Sequence, residues 1–201
     1  MKKILTLSLL LIFSINSFSQ SKEDCLSNLS IFAEYAKVKN YDAAYEPWLE
    51  VKSQCPKLNI AIYVYGERLL KSFIKKSEGN KRDEYQEDLL DLYDEWLKHF
   101  SKSKSGKNET GKILAIKAQT MIDYKLADNE TIYDVYDMAF TNDPQSFKSP
   151  KGLYNYFKIY FGLYKENNSN VSLEKLFEKY EELTEKFEFE MEAYTLPDQQ
   201  S

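Results

Sequence analysis

From Ser27 to Pro56 the chain reads SNLSIFAEYAKVKNYDAAYEPWLEVKSQCP, with large and small side chains set at helical spacing. Ile31, Phe32, Tyr35 and Val38 form an apolar stripe on a first helix, and Tyr41, Ala44, Trp48 and Val51 form the facing stripe on a second. Asn40 lies between them and tolerates the left-handed backbone that ends a helix. Ala44 is small enough to let the helices approach, and Trp48 is large enough to plug the space beside it. Pro56 closes the stretch, because proline has no N–H for the next helical hydrogen bond. Pro47 predicts a kink in the second helix, or a helix that begins in earnest there. The stretch predicts two short helices folded back on each other.

The rest of the chain extends this pattern. Only 6 Gly and 5 Pro interrupt 201 residues, which favours long helices. At 43% hydrophobic, the chain can bury one packed core and is marginal for two independent domains. A second unit begins near Asn59, with Ile60, Tyr63, Leu70, Phe73 and Ile74 apolar and Gly66 placed for close helix contact. Asp83 and Gln86 have the spacing of a capping box before Tyr85, Leu89, Leu92, Tyr93, Trp96 and Phe100. Ser101 to Gly111 is polar and predicts a mobile connection. A third unit follows from Lys112 to Phe140, with Asp128 as an N-cap. Ser149-Pro150 opens a fourth, dense in Tyr and Phe, and a last helix runs from Val171 to about Tyr194. On that helix Leu173, Leu176, Tyr180, Leu183 and Phe187 recur at three and four, and the other face is rich in Glu and Lys.

The first hairpin resembles the tetratricopeptide (TPR) repeat, W-x2-L-G-x2-Y, then A-x3-F, then P. Ile31 stands for the Leu, Phe32 for the Gly, Tyr35 for the Tyr, Ala44 for the Ala, Trp48 for the Phe and Pro56 for the Pro; Asn28 replaces the Trp. The wording around Tyr41 to Trp48 is similar to exported bacterial TPR proteins. The resemblance implies an all-α fold of antiparallel helix hairpins, stacked as a degenerate TPR-like solenoid of about four pairs over residues 20–201. In such stacks the first helix of each unit lines a groove, which makes Glu34, Lys37 and Glu67 candidate partner contacts. The last helix keeps Phe187, Phe189 and Met191 on different sides, and Phe187 and Met191 are candidate contacts for a partner or a second copy.

Lys2 and Lys3, the apolar run from Ile4 to Ile15 and the small residues before Gln20 read as a secretory signal peptide, residues 1–19. Loss of its two lysines takes the formal charge from −5 to −7. An acidic chain repels phosphate backbones, so nucleic acid is a poor partner. No later apolar run is long enough for a membrane span. Cys25 and Cys55 fall at the two ends that a hairpin brings together, and an oxidising destination would let them pair; the alternative is two free buried thiols. A periplasmic or secreted location is expected.

The residue inventory argues against catalysis. His99 is the only histidine, which excludes most zinc sites and the paired Glu-x-x-His motifs of di-iron bundles. Gly106, Gly111 and Lys112 have the spacing of a phosphate-binding loop, but Ile113 replaces its hydroxyl residue and no strand precedes it. The glutamates from Glu181 to Glu192 read as a solvated face. No catalytic residue, metal or cofactor is expected. The reading is a non-enzymatic scaffold of the cell envelope or exterior that holds a protein or peptide. The alternative is a glycan-binding TPR-type module, in which exposed aromatic rings stack on sugars.

Overall fold

The computed structural model describes residues 22–166 and 171–195. The expected signal segment and the expected break at Asn167–Asn170 lie outside them. The described chain is all-helical: α1 (22–37), α2 (Tyr41–Gln54), α3 (Ala61–Lys76), α4 (Gly79–Phe100), α5 (Thr110–Tyr124), α6 (Asn129–Asn142), α7 (Pro150–Lys165) and α8 (Leu173–Thr195). Helices adjacent in sequence pack pairwise, as stacked hairpins do. No described helix is long and apolar enough to cross a membrane. The chain divides into two compact units, one ending at Leu92 and the other beginning at Tyr93, so the division falls inside α4.

The first unit is built around Trp48. Its indole N–H donates to the Ile62 carbonyl of α3 at 2.9 Å. A Cβ at Gly66 would lie 2.6 Å from the indole nitrogen, so the ring sits directly on the bare helix backbone. Gly66 is thus the close-contact residue expected from the sequence. Across the same helix pair, Tyr45 meets Phe73 at 5.3 Å, and Phe73 meets Tyr85 of α4 at 5.1 Å. Pro56 contributes its carbonyl, which accepts from the Tyr63 hydroxyl at 3.0 Å. Helix α2 runs continuously through Pro47.

The buried face of α1 differs from the expected one. Ile31 and Tyr35 are 42% and 40% exposed, whereas Cys25, Phe32 and Ala36 are buried. The cause is the tie between Cys25 and Cys55, which lie at disulfide distance with 6.2 Å between Cα atoms. Cys25, Phe32 and Ala36 are seven and four residues apart, so one face turns inward with the cysteine. Phe32 then meets the Tyr65 ring of α3 edge-on at 6.2 Å. The turn after α1 also differs from the expected one. Lys39, at φ +60°, takes the left-handed position, and its N–H and that of Asn40 bond Ala36 and Tyr35 carbonyls. That pairing is a Schellman ending. Asn40 instead caps α2 through its side chain. Helix α4 starts at Gly79, not Asp83, because Gly79 at φ +55° turns the chain one helical turn earlier.

In the second unit, α5 begins against the end of α6. The Gly111 N–H donates to the Asp143 carboxylate at 3.3 Å and the Lys112 N–H to Ser146 Oγ at 2.9 Å. Ser146 in turn donates to Asp143. A Cβ at Gly111 would overlap the Asp143 carbonyl oxygen. Gly111 therefore serves helix contact, and the N–H groups that a phosphate would need are taken. The preceding loop is ordered by hydrogen bonds from Ser103 to Lys107 and from Glu109 to Ser101, both 2.8 Å. Asp128 caps α6 and Ser149 caps α7, as the sequence predicts.

Two outcomes follow from these contacts. Gly66→Ala or Gly111→Ala should each cost about 2–3 kcal/mol in urea unfolding, because the atoms in the way are a buried indole and a backbone carbonyl. Cys25→Ser should cost about 3 kcal/mol relative to the oxidised chain. Added reductant should bring the parent down to the variant; equal stabilities before reduction would refute the tie.

Candidate binding groove

Helices α7 and α8 are antiparallel: Leu153 and Phe187 share one end of their contact, Tyr160 and Leu176 the other. The inner face of α7 buries Leu153, Tyr156, Tyr160 and Leu163. On α8 the buried positions are Leu176, Leu183 and Glu190, seven residues apart. Leu173 and Tyr180, expected on that stripe, are about half exposed. They belong to a second stripe about 100° around the helix, since successive residues turn by that angle. This stripe runs Leu173, Phe177, Tyr180, Thr184, Phe187, Met191 at alternating spacings of four and three. Helix α7 has its own outer stripe, Tyr154, Phe157, Phe161 and Tyr164, at three, four and three.

The two outer stripes flank one groove. Phe157 and Tyr180 meet edge to face at 5.4 Å on its floor. Leu153, Tyr154, Phe157, Tyr180, Leu183, Thr184 and Phe187 line a cleft of about 310 Å³. Apart from the Tyr hydroxyls, Thr184 is the only polar side chain there. Tyr154 and Phe177 are 59% and 60% exposed, far from the usual state of rings on a packed helix.

Beneath the groove, polar side chains fix α8 to α6 and α7. Asp137 of α6 accepts from the Tyr156 hydroxyl and, at 3.3 Å, from Tyr133. The Lys179 amine of α8 lies 3.5 Å from Asp137 and 2.9 Å from Glu182. It also sits over the Tyr156 ring at 5.3 Å. Burial holds the Tyr133, Tyr136 and Tyr156 hydroxyls in the neutral form well above the ordinary tyrosine range, and the Asp137 carboxylate adds to this at Tyr133 and Tyr156. Farther along, Glu190 is 3% exposed and pairs with Lys186 at 2.5 Å. It is not part of a solvated face, because it continues the inner stripe seven residues beyond Leu183.

The residues singled out from the sequence separate. Glu34 and Lys37 on α1 are exposed and pair with each other at 2.7 Å. Glu67 on α3 pairs with Lys71 one turn on, also at 2.7 Å. Phe187 is in the groove, and Met191 continues the same outer stripe. The groove also takes in Tyr154, Phe157 and Tyr180, with Phe177 on the same outer stripe, none of them among the candidate contacts read from the sequence. The three-and-four spacing beginning at Leu173 would have found those on α8. Among the described residues no group of three His, Cys, Asp or Glu side chains converges as a metal site would. Compared with protein-family models, with curated proteins and with solved structures, the chain matches none.

The buried tyrosines set an alkaline limit. Their folded-state pKa values lie above the unfolded value of 10.0, so their contribution is complete below that pH and is lost as pH rises past it. Unfolding free energy should fall steadily above about pH 10, with the tyrosinate absorbance of Tyr133, Tyr136 and Tyr156 appearing only together with loss of helix. Tyr156→Phe should flatten that slope; an unchanged slope would show that the hydroxyl ionises without penalty in the folded chain.

Proposed function

We propose that this chain is a non-enzymatic binding module of the cell envelope or exterior, TPR-like in construction, which holds a helical protein segment in the α7–α8 groove. The observation that carries the reading is the pair of outer stripes at three-and-four spacing, with Tyr154, Phe161, Phe177 and Tyr180 left about half exposed beside an apolar floor. That spacing matches the face of an amphipathic helix, whose apolar residues recur at the same interval. Water contact with so many large rings is costly, at roughly 25 cal/mol for each Å² left uncovered. A sugar would need hydrogen-bonding groups between its stacking rings, and the lining supplies only Tyr hydroxyls and Thr184. The paired cysteines fit an oxidising location, and the N-terminal signal reading agrees with it.

A synthetic amphipathic peptide with Leu at three-and-four spacing is the direct probe, followed by fluorescence anisotropy and set beside a panel of oligosaccharides. Peptide binding that weakens at least about tenfold in Phe157→Asp and Phe187→Asp would support the proposal. Oligosaccharide binding lost in the same variants, with no peptide binding, would replace it with the glycan reading.

A further inference from the structure

The rims of the groove carry opposite charge. On α7, Lys151, Lys158 and Lys165 are exposed and seven residues apart, each one position after a residue at the outer stripe's angle. Lys151 lies 3.6 Å from Asp123 on the surface, and Lys165 lies over the Phe161 ring at 5.6 Å. On α8, Glu174, Glu181, Glu185 and Glu188 are all exposed, and each directly follows a residue of the outer stripe. One position is about 100° of turn, so each charged row stands beside its apolar stripe on the side away from the other helix. The groove is thus an apolar floor with a basic wall on α7 and an acidic wall on α8.

A surface of this kind is complementary to itself. Two copies can be laid groove to groove about a twofold axis in two ways. One puts α7 over α7 and α8 over α8, which sets lysine against lysine and glutamate against glutamate. The other, with the axis parallel to the helices, puts α7 of each chain over α8 of its copy. Phe157 is level with Tyr180 within one chain, at 5.4 Å. That axis keeps the level, so Lys158 of one copy comes opposite Glu181 of the other, and Lys151 opposite Glu185 and Glu188. All four helices are then antiparallel to their neighbours, and both apolar stripes have the spacing that interdigitates in helix bundles. The contact is isologous, so every Lys–Glu pair occurs twice.

We infer that the groove's occupant is the same groove of a second copy, giving a twofold-symmetric four-helix arrangement with α7 of each chain over α8 of the other. This rests on the reading of the groove as a surface for helices and names the helix that fills it. Glycan or foreign-peptide occupancy is the competing outcome.

The test is reciprocal charge reversal, read by light scattering and sedimentation of the mature chain. The unaltered protein should be dimeric at micromolar concentration. Lys151→Glu with Lys158→Glu should weaken the dimer at least about 100-fold, and so should Glu181→Lys with Glu185→Lys. Both variants change exposed side chains, and circular dichroism should show full helix content. Mixing the two should restore dimers, because each now supplies the charges the other lacks. A protein that is monomeric throughout, or a dimer indifferent to both sets of reversals, would overturn the inference. The Leu-spaced peptide separates the two readings: if it binds a monomeric chain through Phe187, the helix-binding groove stands and only self-pairing falls.

Discussion

A helix backbone can be touched by something large only where it lacks a side chain, and three close approaches in this chain depend on that. The Trp48 indole rests on α3 at Gly66 and gains a hydrogen bond to a carbonyl it could not otherwise reach. The end of α6 rests on α5 at Gly111. Phe147 fills the space that a side chain at Gly152 would take. Each is a position where packing fixes the axial register of one element on another. Leucine-rich packing alone tolerates sliding and repacking at modest cost; a ring or a carbonyl set against bare backbone does not.

Much of the architecture was legible because it is written locally. Asp128 and Ser149 cap helices as their side chains predict, and Ala44, Trp48 and Val51 are buried as their spacing predicts. The rotation of α1 was not legible. Ile31 and Tyr35 are as apolar as the residues that replace them inside, and a covalent tie at Cys25 decides between two adjacent stripes. Nor were the helix ends at Lys39 and Lys125. Both take the left-handed conformation at a cost of about 1 kcal/mol that composition gives no reason to expect.

Helix α8 shows how a pattern can be read correctly as helix and still be assigned to the wrong face. Its apolar residues fall on two stripes, and the sparser one, with Leu176 and Leu183 seven residues apart, is the inner one. The inner stripe closes with Glu190 rather than an aliphatic residue, and Lys186 neutralises it. Period alone cannot rank two stripes of similar apolarity. The partners beneath, Tyr160 and Leu163 on one side of α7, do so. The polar cluster around Asp137 was equally hidden, since Asp137, Tyr156 and Lys179 come from three helices with no spacing to join them.

The capping of α5 has a consequence for how the chain acquires its structure during synthesis. The groups that satisfy its first amides, Asp143 and Ser146, follow them by 32 and 34 residues. As the chain emerges from the N-terminal end, α5 is exposed with its leading turn frayed, and only when the α6–α7 connection has emerged can that turn close. Helix start and helix pairing are therefore one event in this unit, and a pause in translation before Asp143 would leave a helix without a fixed beginning.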